Sequence, residues 1–563
     1  MRTAEPGTSV FQRLDKLNEF ERQPVTEDKL CGGRYFAANF AGEHVAATEF
    51  VIGALFVKFG ASAYDVLVGL LVGNLLAVLS WGLVCAPIAV QTRLTLYWYL
   101  RKIAGPLVTV IYNVLNAVMY CILAGAMITV SASAVRIPFG IPDQTGWLPS
   151  DFRFVLVVLG VGAVVVTLAI LGFKRLAQFA SLCSPWMILM FPAGALVMLA
   201  EMGSIRGWSD FWRLANTHIW TGTTADGSPP LGFWHVAAFA WICNLAMHLG
   251  LSDMALFRYA RRAAYGFYSA LGMYLGHYLA WIAAGIMGAV AAILLKRPIT
   301  EIDSGTVAYQ ALGAMGALAV VIAGWTTSNP TLYRAGLALQ VVTPGWPRWL
   351  VTLLAGTITT LVACSPFVFT RLLDFVAIYG ILLAPVGAIV VAEHWIFPRI
   401  GLTQFWSSRK GQLVNWPALA SWGIGLGFAA AAWLSKRLAD VEIIHEFFLI
   451  IPVWILTTAV YIVLSAMAGA RERLPEIAND APAARRVSNA PRPKSANPSR
   501  RAAALLAGGT ALTCLTLCLI LPVAVFAGSL GRLEFQGILI WVSLLYFASA
   551  LVWMGLRPSG DEK

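Results

Sequence analysis

Apolar runs of about twenty residues recur along the chain from Phe36 to Met554, separated by short polar stretches. Wound as an α-helix, each run crosses a hydrocarbon core about 30 Å thick. The pattern predicts spans near 35–58, 63–91, 104–134, 154–173, 178–201, 232–257, 264–295, 305–327, 348–366, 371–393, 414–434, 446–468, 504–528 and 535–556. This is an all-α polytopic membrane protein of about 14 transmembrane helices.

Several runs carry polar groups that a lipid-facing helix would not. The first holds Phe40-Ala41-Gly42-Glu43-His44-Val45-Ala46-Ala47-Thr48-Glu49, two carboxylates and an imidazole within seven residues. A charge at the bilayer centre costs at least ~2.5–3.5 kcal/mol, so such residues face a bundle interior or a watery cavity. Gly42 marks a place for the helix to break, and a broken helix in a membrane lines a site. Glu43 and Glu49 lie roughly 240° apart on a regular helix. One site therefore takes Glu43 and His44, with Glu49 pairing separately.

The sixth run supplies a counterpart, with Asn244 and His248 four residues apart on one face and unwinding expected at Gly250 to Asp253. His277 in the seventh run reads better as a structural residue. The eighth run ends Ala323-Gly324-Trp325-Thr326-Thr327-Ser328-Asn329-Pro330. Its hydroxyls either bond back to helix carbonyls or offer hard oxygen ligands to a small cation. Five runs, one interrupted and four regular, are followed by five more in the same coarse order, and an odd number makes such a repeat inverted.

Composition agrees: 59% of the 563 residues are hydrophobic and 12% charged, about half the charge of a soluble domain. The net charge of +12 reflects topology and not a nucleic-acid partner. With a cytoplasmic N-terminus, most Lys and Arg fall on the inside, Arg258, Arg261, Arg262, Arg399, Arg409 and Lys410 among them. The loops around 138–151 and 203–230 are poor in basic residues and fall outside, and Trp208, Trp212 and Trp220 fit an interfacial belt there. The eight cysteines show neither metal-ligand spacing nor a disulfide framework. The polar opening stretch is no cleavable signal, so the first span serves for insertion.

The chain divides into a cytoplasmic lead (1–30), an inverted-repeat core of helices 1–10 (31–400), helices 11–12 (401–469), a basic Pro-rich linker (470–503) and two additional C-terminal helices (504–557). The linker has too little apolar surface to fold. The last two helices carry almost no ionisable group, which points to a peripheral or oligomerising role.

Trp325-Thr326-Thr327-Ser328-Asn329-Pro330-Thr331-Leu332-Tyr333-Arg334-Ala335-Gly336-Leu337 resembles the Trp-Thr-Thr-Asn…Leu-Tyr-x-Ala-Gly-Leu stretch of the cytosine-permease branch of the nucleobase:cation symporter-1 family. The lead Phe20-Glu21-Arg22-Gln23-Pro24-Val25, the Phe257-Arg258-Tyr259-Ala260 end of the sixth run and Pro385-Val386-Gly387-Ala388-Ile389 agree with it, over residues 18–468. The resemblance implies a five-plus-five inverted-repeat transporter core of the amino acid–polyamine–cation type, with helices 1 and 6 broken at the substrate. It implies uptake of cytosine, purines, hydantoins or similar nitrogen heterocycles with Na⁺ or H⁺. Carried over by position, sodium ligands fall at Phe40, Glu43, Ala323, Thr326 and Thr327. The substrate contact on helix 1 falls at His44, the stacking aromatic of helix 3 at Tyr120, and the neighbouring Gln becomes Ala124. Glu43 and the His248-Leu249-Gly250-Leu251-Ser252-Asp253 run depart from the family pattern. They fit a more basic substrate, or a proton as the coupling ion.

The expectation is a cation-coupled symporter in the plasma (bacterial inner) membrane, both termini cytoplasmic, working as a monomer or weak homo-oligomer and needing no cofactor. Tyr120 and an aromatic near Trp241 sandwich a flat ring, while Asn329, Asn244, His248, His44 and Glu43 orient it. The alternatives are a proton-coupled carrier of the same fold for a different, cationic, small nitrogenous solute, and a non-transporting membrane sensor. An enzyme lacks any nucleophile–base spacing, and a channel any filter sequence.

Overall fold

The computed structural model describes residues 23–171, 173–203, 205–224, 227–367, 372–475 and 498–556. Most of the expected lead and linker therefore lies outside the described residues. The first run forms α1 (Gly33–His44) and α2 (Thr48–Lys58). They are bent by 53° across Val45–Ala47. The break sits one turn later than Gly42 because Gly42 serves packing instead. A Cβ there would stand 2.7 Å from the Ser184 hydroxyl.

The following helices are α3 (Ala63–Ser80), α4 (Leu96–Val135), α5 (Phe152–Ile170) and α6 (Phe173–Ala200). Their starts are written in the sequence. Ser62 and Asp65 form a reciprocal cap on α3, and Asp151 accepts from the Arg153 amide of α5 at 2.8 Å. The sixth run is broken twice, into α7 (Phe233–Ile242), α8 (Leu245–His248) and α9 (Met254–Phe257). Leu251 takes a left-handed φ of 63° in the second break.

A π-type stretch, Leu271–Tyr278, leads into α10 (Leu279–Leu295). Then come α11 (Ser304–Leu312), α12 (Ala314–Val342), α13 (Arg348–Ala363) and α14 (Leu372–Val391). Beyond these lie α15 (Trp416–Ala439), α16 (Ile450–Ser465), α17 (Pro498–Phe526) and α18 (Arg532–Leu556).

Among the described residues, ten helices are long and apolar enough to cross a membrane, eleven if α1 and α2 form one span. Three of the fourteen expected spans fail that test, each for a physical reason. The sixth is fragmented, α12 carries Thr326 to Asn329 and Arg334 in its middle, and α13 has only 16 residues.

The α1 break is clasped by the π-type stretch, where a Cβ on Gly276 would lie 2.3 Å from the His44 carbonyl oxygen. The second break of the sixth run is clasped by α14, where a Cβ on Gly387 would lie 1.7 Å from the Leu249 oxygen. Both glycines let a neighbouring backbone reach a helix end, as small residues do throughout membrane bundles.

The two ends of the bundle are distinct. One gathers the segment after Gln23, where the Val25 amide donates to Arg93 O at 3.0 Å and the Cys31 amide to Tyr259 O at 2.9 Å. The other holds the 136–151 and 297–306 loops, tied by Arg136 to Asp303. In the 203–230 segment Trp208 is exposed. Trp220 is not: it is fully buried, with its indole against Gly285 of α10.

Candidate functional site

The broken ends meet around one arginine. Thr327, Thr331 and Arg334 follow at i, i+4 and i+7 along α12, so all three present one face to the α1 break. The Thr327 hydroxyl donates to Glu43 O at 2.7 Å. Arg334 donates to both carboxylate oxygens of Glu43, one bond with Oε1 and a second of 3.1 Å with Oε2. It also donates to Asp253 Oδ1 at 2.6 Å, and Trp81 Nε1 donates to the other Asp253 oxygen at 2.7 Å. Arg334 and Asp253 are wholly buried and Glu43 nearly so. Three helices of the core are thereby joined through one guanidinium, whose planar fork suits two carboxylates.

Beside this cluster lies a cavity of about 50 Å³, lined by Glu43, His44, Glu49, Asn244, His277, Thr327 and Tyr379 among others. His44 Nδ1 bonds to Phe40 O at 2.9 Å, which puts the ring proton there. Nε2 is then a buried acceptor without a partner. The Asn244 amide and His277 Nε2 stand 3.3 Å apart, and the two imidazoles meet edge to face at 5.1 Å. Glu49, in the first turn of α2, accepts from Trp281 Nε1 and lies 3.8 Å from His277 Nε2.

Of the expected substrate residues, Glu43, His44 and Asn244 line the cavity. Tyr120 stands behind Tyr379, its hydroxyl donating to Ser252 at 2.6 Å and its ring 5.7 Å from that of Tyr379. Ala124 is buried on α4, whose Leu123 and Met127 reach the cavity instead. Trp241 turns away, donating to Ser80 of α3 at 3.1 Å. The reason is that the sixth run already breaks at Cys243, so Asn244 and His248 do not share a continuous helix face with it. His248 is a packing residue here, bonded to Trp241 O at 2.9 Å and set edge-on to Trp81 at 4.9 Å. Asn329 is buried on α12 with neither amide atom partnered among the described residues.

Four of the five positions that the resemblance gives to a sodium ion form a connected set. Thr327 Oγ1 lies 3.0 Å from Ala323 O and 2.7 Å from Glu43 O, and Thr326 Oγ1 lies 3.1 Å from Ala323 O. The Phe40 carbonyl is engaged by His44. All five are oxygen donors, the kind a hard cation takes. Among the described residues no group of three or more His, Cys, Asp and Glu is placed to hold a metal ion.

The sequence reading missed Arg334, Asp253 as a site member, and the cavity role of His277. Arg334 was within reach. It lies seven residues after Thr327, but ending the eighth span at 327 hid the face they share.

No family model matches the chain, and no curated protein matches it. Solved structures do. The closed conformation of Mhp1, a nucleobase-cation-symport-1 family transporter, with bromovinylhydantoin bound is 16% identical, with a TM-score of 0.61 over 80% of this chain and 96% of that one. Inward-facing Mhp1 is 15% identical, with a TM-score of 0.58 over 80% and 94%. A Na⁺-coupled sialic acid symporter in its substrate-bound outward-open state is 11% identical, with a TM-score of 0.55 over 81% and 96%. At these identities the likeness is one of fold. The chain is an integral membrane protein with the five-plus-five inverted-repeat transporter architecture, its first helix broken at the centre.

Proposed function

We propose that the chain is a cation-coupled secondary transporter that imports a small nitrogen-containing solute by alternating access. The observation that carries this reading is the meeting of Glu43, Asp253 and Arg334, from two broken helices and α12, beside a closed cavity. A charged cluster of that kind in a membrane core is costly and marks a solute or ion path. Broken helices at mid-membrane supply the backbone ends for it. The fold shared with two symporters supports the same reading.

The solute rests against His44, Asn244 and Tyr379, and the coupling ion is Na⁺ held between α1 and α12 by Glu43 O, Ala323 O, Thr326 and Thr327. Filling that ion site ties α1 to α12 and sets the break for the solute. Opening then amounts to moving α1 and the sixth run against the scaffold. A proton is the second reading for the ion, favoured by one observation: Glu43 and Asp253 share a single guanidinium, so one carboxylate is in excess. The membrane is the plasma membrane, with the basic end of the bundle and both termini in the cytoplasm.

Uptake into proteoliposomes under an imposed Na⁺ or pH gradient tests this. Glu43→Gln is expected to insert normally and to change the Na⁺ or pH dependence of uptake. Uptake by E43Q that is unaltered across pH and Na⁺ would remove Glu43 from the coupling site.

A further inference from the structure

Glu49 is the feature that neither the arginine cluster nor the ion set absorbs. It lines the same cavity as Glu43, but Glu43 is neutralised by Arg334 and Glu49 is not. Among the described residues its carboxylate meets Trp281 Nε1 on Oε2, the Ala46 backbone amide, and His277 Nε2, 3.8 Å from Oε1. That imidazole nitrogen stands 3.3 Å from the Asn244 amide, and with the amide donating to it the nitrogen has no proton to give Glu49. In that arrangement no cationic side chain among the described residues neutralises Glu49, whose carboxylate keeps acceptor capacity in the cavity wall. His44 Nε2, buried and without a partner, is a second acceptor. These two open valences take N–H donors, while His277 Nδ1 is left as a buried donor.

The charge count is compatible with this. Glu43, Asp253 and Glu49 bring three carboxylates into the core and Arg334 one guanidinium, so two carboxyl groups are either protonated or met by a cation. A buried charge without a partner is strongly unfavourable, so the loaded site offers places for two cations in exchange for two protons. One is the coupling ion. The Tyr379 ring beside the cavity gives a flat cation an aromatic face.

We propose that the cavity beside Glu49 receives the protonated nitrogen of the solute, so that the carried solute is a small, flat organic cation such as an amidine or a protonated aminoheterocycle. This rests on the carrier reading above. Glu49 is the counter-charge, and His44 Nε2 accepts a second N–H. The volume of about 50 Å³ suits such a head group, one to two water volumes in size. The ring behind it enters as the helices part.

The test is thermal stabilisation of the purified full-length protein at neutral pH by benzamidinium and by its neutral isostere benzamide, each with and without Na⁺. Ligand that binds only the folded state raises the melting temperature. Benzamidinium is expected to stabilise and benzamide is not. The isosteric Glu49→Gln is expected to weaken the cation's binding about tenfold or more while the response to Na⁺ alone stays. If benzamide or cytosine stabilises as well as benzamidinium, or if E49Q binds the cation unchanged, the solute class is wrong and Glu49 is structural. Absence of stabilisation by any of these rings overturns the proposal too. The Na⁺ response without solute reports separately on the carrier reading, which falls only if neither Na⁺ nor a pH gradient acts.

Discussion

Arg136 and Arg334 are each held between two carboxylates, Arg136 by Asp143 and Asp303, Arg334 by Glu43 and Asp253. The chemistry is the same and the surroundings differ. Around Arg136 the charges balance, because Arg297 takes the second oxygen of Asp143 at 2.7 Å and is itself 40% exposed. Asp303 also caps α11, accepting from the Thr306 amide at 2.9 Å. That cluster is complete without any ligand. It reads as a clamp holding the 136–151 loop to the start of α11. Around Arg334, among the described residues, no second cationic side chain pairs with the carboxylates, and all three groups are buried. An unmatched carboxylate in a membrane core marks a functional site, which the proposal above reads as the place of a cation or a proton. Completeness at one end and deficit at the centre separate scaffold from site.

The largest expected effect breaks the central cluster. Arg334→Ala leaves two buried carboxylates without their cation, and losing one partner of a buried pair costs about 3–5 kcal/mol. Thermal unfolding in detergent should show a large drop, and uptake should vanish. Adding E43Q and D253N to the same chain should recover most of the stability and none of the uptake. If R334A alone is as stable as the parent, the cluster is not the charge-coupled unit described here.

The Arg136 clamp should respond less. Arg136→Ala removes charge-assisted hydrogen bonds of about 1.5–3 kcal/mol in all, because Arg297 still serves Asp143 and the α11 cap still serves Asp303. Arg297→Ala, on the exposed rim, should cost less than about 1 kcal/mol. An R136A chain that unfolds as readily as R334A would erase the distinction between balanced and open clusters.

The smallest effect sharpens the picture at the start of α7. His445, in the loop before α16, has its pKa lowered to about 4 by burial and by the neighbouring His235. Its ring packs on that of His235 at 4.6 Å. The unfolded chain binds this proton near pH 6.5 and the folded one only near 4. Stability is therefore present above 6.5 and is lost as pH falls from 6.5 toward 4. His445→Gln should flatten the slope of melting temperature against pH in that window, measured against the parent chain.

Much of this was legible in the residues. Glu43, His44 and the apolar run around them announce a broken span at the centre of a carrier-like bundle, and α1 and α2 are bent there. The place of the break was not legible, since glycine means a bend in some helices and a close neighbour in others. Gly42 faces Ser184, and only three-dimensional packing tells the two apart. Trp241 was misaimed for a related reason: a helix that breaks at Cys243 rotates everything upstream of it. Arg334 escaped because hydropathy ends a span where polar residues begin, while α12 continues through Pro330 to Val342. In a membrane core that polar stretch is where an i, i+4, i+7 search repays the effort.

The C-terminal hairpin leaves one more thing to draw out. Tyr546 of α18 donates to Leu182 O of α6 at 2.8 Å, and Trp186 of α6 donates to Ser543 at 2.9 Å. Gln536 reaches the Gln310 carbonyl of α11 at 3.2 Å, and Arg532 pairs with Glu201. The opposite side of the hairpin is a greasy sheath, with Leu506, Leu512, Leu519, Trp541 and Leu545 exposed. Since α6 also carries Ser184 against α1, a shift of α6 has to snap these bonds or tow a two-helix keel sideways through the lipid. Bilayer thickness and viscosity then enter as a drag on that motion.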